Sequence, residues 1–132
     1  MITYLWIAVG GALGTVARFA VSSAFAQAVG ESFPWGTVVV NISGCFVIGV
    51  FATITGPDGR LVVAPDLRQF VLIGICGGYT TFSSFSLQTL NLLRNGDVMG
   101  AGLNTGVSFG ACMLAVWLGA VAGQAFNQIR AG

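Results

Sequence analysis

The sequence predicts an all-α integral membrane protein with four transmembrane helices, the third of them broken mid-membrane. Three observations carry that prediction. Of 132 residues, 55% are hydrophobic and 7% charged, against roughly 25% charged in a soluble domain, so the chain cannot cover a water-exposed surface. Four apolar runs separated by short turn signals each reach the about 20 residues needed to cross a bilayer. The third run is interrupted by Gly77-Gly78 and then by hydroxyl residues. Residues 1–132 read as a single domain. A four-helix monomer buries little polar surface, so self-association is the default expectation.

The first span runs from about Ile2 to Val29. Gly10 and Gly14 form a GxxxG pair, which lets helix backbones approach closely. Ala24-Phe25-Ala26 resembles a signal-cleavage site, but no basic segment precedes Trp6 and Arg18 separates the apolar run from that site. The segment is expected to be retained. Arg18 lies past the middle of the span, where a charge costs about 3 kcal/mol. Two readings stand: it snorkels to the interface, or it marks a polar vestibule that attracts anions.

The turn Glu31-Ser32-Phe33-Pro34 leads, with Trp35 as a plausible interface anchor, into a second span from about Gly36 to Thr55. Thr37, Asn41 and Cys45 recur every four residues and share one helical face. Asn41 either hydrogen-bonds a neighbouring helix or donates its amide to a passing anion. Gly56-Pro57-Asp58-Gly59-Arg60 signals a turn. The third span runs from about Asp66 to Asn95, with its break expected over Cys76–Thr80. Beyond it, Thr80 or Thr81 can cap a new helix, whose N-terminus presents unsatisfied N–H groups and partial positive charge. Phe82 and Phe85 share one face of that half-helix, as apolar bulk or as part of a pathway. Thr81, Ser84 and Gln88 share the adjacent face.

After Asn95-Gly96-Asp97, the fourth span runs from about Val98 to Phe126. Gly102, Gly106 and Gly110 form a flat seam. Asn104, Ser108 and Cys112 lie on roughly the opposite side. The seam is expected to pack tightly and the other side to be mildly polar, which fits a pore-lining helix or interhelical hydrogen bonding alone.

Charge excludes several classes. The net charge is +1, with five arginines and no histidine, so there is no basic stripe for nucleic acid. Cys45, Cys76 and Cys112 are unclustered and read as small packing residues rather than a zinc site. No span holds a carboxylate, and no nucleophile has a base beside it, so nothing here catalyses. An even number of spans puts Arg60, Arg68 and Arg130 on one side, against Arg94 and a snorkelling Arg18 on the other. Sorting by positive charge needs a clear excess. A chain so balanced is able to insert both ways and to pair as an antiparallel dimer. The groups at depth are hydroxyls, amides, helix N–H groups, one arginine and phenyl edges. Without the Asp and Glu of cation relays, they favour a small anion.

The stretch Gly77-Gly78-Tyr79-Thr80-Thr81-Phe82-Ser83-Ser84-Phe85-Ser86 resembles the GGxTTFSTFS signature of the Fluc (CrcB-type) fluoride channels. Gly10–Arg18 resembles their GGxxGxxxR pattern, Gly36-Thr37-Val38-Val39-Val40-Asn41 their GTLxVN segment, and the glycine-rich last helix with Ser108 theirs. The resemblance covers nearly the whole chain. It implies a dual-topology antiparallel homodimer in the bacterial plasma membrane, with two pores and passive export of fluoride from the cytoplasm. By position it implies a fluoride pathway along Arg18, Asn41, Phe82, Ser83, Ser84, Phe85, Gln88 and Ser108. It also implies a central structural sodium held by the carbonyls of Gly77 and Thr80. Three positions depart from the pattern: Gln88 stands where many members have glutamate, Asn104 where tyrosine is frequent and Cys112 where serine is frequent. Gln88 keeps its hydrogen bonding but cannot carry charge.

Two rival readings fit less of the chain. A proton-coupled exporter of cationic drugs needs an intramembrane acid, and Glu31 lies in a turn. A non-transporting assembly subunit would use the glycine seams but has no reason to unwind at depth.

Overall fold

The computed structural model describes residues 1–129. Arg130, counted in the charge comparison, lies outside the described residues. All the described secondary structure is helical. Helix α1 (Ile2–Val29) ends at Gly30, whose positive φ of 83° and N–H bond to the Ala26 carbonyl close it. Its 28 residues span about 42 Å at 1.5 Å per residue, more than a hydrocarbon core of about 30 Å. Helix α2 (Trp35–Ile54) follows Pro34.

The third stack opens with α3 (Pro65–Gln69), where proline sits at the start of the helix and needs no N–H partner. It continues as a π-helical segment (Phe70–Cys76), then α4 (Gly77–Tyr79) and α5 (Phe82–Arg94). Helix α6 (Val98–Ile129) completes the bundle. At its start, Asp97 Oδ1 accepts the Gly100 N–H at 2.7 Å. Four stretches are long and apolar enough to cross a membrane: α1, α2, the stack Pro65–Arg94, and α6.

The expected spans match these within a residue or two, except that α6 runs to Ile129 rather than Phe126. Asn127 accounts for the extra turn. Its Oδ1 accepts the Arg60 N–H at 3.3 Å and its Nδ2 donates to the Thr53 carbonyl at 3.5 Å, which ties the end of α6 to the loop after α2.

The break needs correcting. It was expected over Cys76–Thr80, but Gly77, Gly78 and Tyr79 stay helical. The extended residues are Thr80 (φ −79°, ψ 157°) and Thr81 (φ −153°, ψ 116°). Gly78, like Gly10, Gly14 and Gly74, has another task, which is contact. A Cβ on Gly14 would overlap the Ile75 carbonyl and the Tyr79 N–H, and one on Gly78 would lie 2.6 Å from the Gly11 carbonyl. Gly10 and Gly74 meet in the same way. Helix α1 therefore lies backbone-to-backbone on the π-helical segment and α4, and intrinsic helix weakness explains little of these positions.

The fourth helix is reversed relative to expectation. Asn104 and Ser108, on its polar side, are buried, whereas a Cβ on Gly102, Gly106 or Gly110 would meet nothing within 4 Å. Within one chain the polar side packs inward and the seam faces out. Close packing between α2 and α6 uses a different set. A Cβ on Gly49 would strike the Val116 carbonyl, one on Gly119 the Phe46 carbonyl, and one on Gly123 the Thr53 side chain. Contacts that advance together in this way make α2 and α6 parallel neighbours.

Candidate functional site

The site is built where α2 meets the two extended residues. Thr80 closes the end of α4: its N–H and its Oγ1 both donate to the Cys76 carbonyl, at 3.0 and 2.9 Å. Its methyl group lies over Gly44, where a Cβ would collide with it. Thr81 would be left with bare backbone groups, and unpaired backbone in lipid costs several kcal/mol. Asn41 removes that cost. Thr81 N–H donates to Asn41 Oδ1 at 2.7 Å, and Asn41 Nδ2 donates back to the Thr81 carbonyl at 3.0 Å. A side-chain amide thus does the work of a paired strand. Of the two sequence readings of Asn41, the interhelical bond is present, and one hydrogen of its NH₂ remains for another acceptor.

Thr81 also starts α5. Its Oγ1 accepts the Ser84 N–H at 3.2 Å and lies 3.1 Å from Ser84 Oγ and 3.3 Å from Ser83 Oγ. The N–H groups of Phe82 and Ser83 belong to the first turn, which has no intrahelical acceptors, at the positive end of the helix dipole.

Beside this turn runs an open groove of 250 Å³, lined by Asn41, Thr80, Thr81, Phe82, Phe85 and Ser108, with Cys45, Phe109, Cys112 and Met113. The Phe82 and Phe85 rings sit 5.3 Å apart with planes at 47°. Phe82 is 72% exposed, so it is the open lip of the groove. Ser108 Oγ donates to Asn104 Oδ1 at 3.3 Å, and Asn104 Nδ2 donates to Thr89 Oγ1 at 2.9 Å. That chain fixes α5 against α6 behind the groove.

A second hollow of 430 Å³ lies between α1, the Gly30–Gly36 turn and α5, with Ser22, Ser23, Thr37, Gln88 and Asn91 among its walls. Arg18 Nε and Gln88 Oε1 are buried without a hydrogen-bond partner among the described residues.

Of the predicted pathway residues, Asn41, Phe82, Phe85 and Ser108 therefore share one groove, and Gln88 belongs to the second hollow. Ser83 and Ser84 gather around Thr81 and do not wall the groove; nor does Arg18. Sequence reasoning missed the bond between Tyr79 Oη and Ser43 Oγ at 2.9 Å. Of the two caps it offered, Thr81 is the one present, but it missed the pairing of Thr81 with Asn41 and the burial of Asn104. The four-residue spacings through Asn41 and through Ser108 were the available signal for the groove walls.

The two expected sodium donors can be tested against their surroundings. In a continuing helix the Thr81 N–H would return to the Gly77 carbonyl, but it is taken by Asn41. Gly77 is exposed, and the nearest atom to a Cβ there is 3.8 Å away. Carbonyl oxygens that are neutral and hard suit a cation of this class. The residues fit.

Residues 5–120 match the family described as CrcB-like protein, Camphor Resistance (CrcB). A protein of Methylocella silvestris named fluoride-specific ion channel FluC is 56% identical over 127 residues, covering 96% of this chain and 97% of its own. Proteins of that name from Opitutus terrae and Rhodospirillum rubrum are 57% identical over 130 residues and 55% over 126. They cover 98% and 96% of this chain, and 98% of their own lengths in both cases. An interrupted third stack latched by Asn41 thus sits in a chain that belongs to the CrcB-like family.

Proposed function

We propose that this chain is a fluoride-selective passive channel that exports fluoride from the cytoplasm across the bacterial plasma membrane. In this reading it acts as an antiparallel homodimer with two pores. The single observation that carries it is the groove where Asn41, the α5 N-terminus, Phe82, Phe85 and Ser108 converge. A small, strongly hydrated anion needs several donors at once to replace its water. The groove offers the spare Asn41 N–H, the first-turn N–H groups and phenyl edges, whose quadrupole is positive. None of these carries a full charge that would trap the ion. The names of the relatives agree with fluoride as the ion.

The dimer is supported by what one chain leaves open. The glycine seam of α6 has no neighbour within 4 Å, and Phe82 stands uncovered at the groove's lip. A second copy would close both. In that dimer the carbonyls of Gly77 and Thr80 would hold a sodium ion, which would supply positive charge between facing backbones. Ser83 and Ser84 continue the pathway as a hydroxyl track beside Thr81, and Arg18 and Gln88 extend it beyond the groove. The buried, unpartnered Arg18 Nε is a donor left for an anion that has already entered.

Purified protein in liposomes loaded with potassium fluoride tests the reading. Fluoride should leave when a potassium ionophore lifts the charge block, while chloride should stay; no release, or equal release of chloride, overturns it. Phe82→Ile should slow that release at least tenfold and leave the fold intact, since loss of an aromatic contact worth about 1.4 kcal/mol in the path is a factor of 10.

A further inference from the structure

Cys45 lies one turn beyond Asn41 on α2, and Cys112 one turn beyond Ser108 on α6. Both line the groove. The parallel register of the two helices makes them opposite numbers. Gly49 abuts Val116, so one turn earlier on each helix Cys45 faces Cys112. Both are half-buried free thiols. Met113 adds a thioether to the same wall. Cys76, by contrast, is buried on the π-helical segment away from the groove.

We propose that Cys45 and Cys112 form a two-thiolate site for a soft, two-coordinate divalent cation of the mercuric class, and that filling it closes the groove. Donor chemistry selects this class. Among the described residues no group of three or more His, Cys, Asp or Glu could hold a metal, so four-coordinate zinc is excluded. Sulfur donors favour soft ions. Charge selects the valence: each thiol releases its proton to water, two metal–sulfur bonds form, and no electron is transferred. The product is neutral, which an apolar wall of Phe82, Phe85 and Phe109 tolerates, whereas a net charge would be costly there. The bound ion sits beside Asn41 and Ser108 and leaves the groove too narrow for an anion. The closing step rests on the channel reading; the binding step does not.

Mercuric chloride is the probe, with two readouts. In detergent, one equivalent should abolish the maleimide reactivity of Cys45 and Cys112 and produce mercury–thiolate absorbance, in both wild type and C76S. Cys45→Ser and Cys112→Ser should each weaken binding by about 100-fold, the advantage a second tethered ligand confers. Equal binding by either variant and wild type overturns the site. In liposomes, the same addition should stop fluoride release by wild type and C76S, spare C45S and C112S, and be reversed by a dithiol. Stoichiometric binding with undiminished release overturns the closing step. Intact binding in a protein that releases no fluoride overturns the channel reading and leaves the site standing. Monodisperse elution of both serine variants guards against misfolding as the cause.

Discussion

Two sets of glycines at four-residue spacing occupy this chain, and they are used in opposite ways. Gly10 and Gly14 of α1 meet Gly74 and Gly78 of the third stack with backbones in contact. Gly102, Gly106 and Gly110 of α6 meet nothing. In sequence the two are indistinguishable, because the pattern reports only that a smooth face exists. What separates them is the rest of the fold. The first set is consumed in holding the interrupted stack against α1, and the second is left on the surface of the chain.

Substitutions can break or sharpen that contrast. The largest effect is expected at the consumed set. Gly14→Val drives a branched side chain into the Ile75 carbonyl and should cost about 3 kcal/mol or more, read as loss of folded protein in thermal unfolding in detergent. Next is Asn41→Ala, which strips both partners from Thr81. Leaving buried backbone unpaired should lower stability by about 1–3 kcal/mol. Asn41→Asp should behave alike, since its carboxylate would face the Thr81 carbonyl. Thr81→Ala removes the cap that accepts the Ser84 N–H and should cost about 1 kcal/mol. The smallest effect on the fold is expected at the open set. Gly106→Ala should change the stability of one chain by less than about 1 kcal/mol, while cross-linking between copies falls. Unfolding by Gly106→Ala would abolish the distinction between the two sets.

Much of the architecture was legible because a bilayer leaves few options: hydropathy placed four spans within about a turn of their observed ends. The break was harder. Gly77 and Gly78 weaken an isolated helix, and from sequence that weakness looked like the cause of unwinding. In the fold Gly78 lies against Gly11 of α1 while Gly77 is exposed, and the chain unwinds at Thr80 and Thr81, where Asn41 can pair with it. That pairing joins residues 40 positions apart, which no local periodicity reports. Asn104 was placed on the correct face, and its bond to Thr89 of α5 is the interhelical one of the two readings left open, because a polar stripe reads the same whether it meets an ion path or another helix. Asn41, Phe82, Phe85 and Ser108 were legible as a group. Arg18 was legible as a costly charge past the middle of its span, and Gln88 as one member of a polar face with Thr81 and Ser84.

The π-helical segment Phe70–Cys76 has a consequence of its own. Each of its wide turns takes up one residue more than an α turn, so the segment acts as a dial that sets the angular phase of everything after it. Rewinding those residues as ordinary α-helix, with none removed, would swing Thr81 by about 100°, the rotation per residue of a 3.6-fold helix. Asn41 would then face a different backbone atom, and the latch would have nothing to grip. The function of the third stack is therefore set as much by how many residues precede Thr81 as by which ones they are.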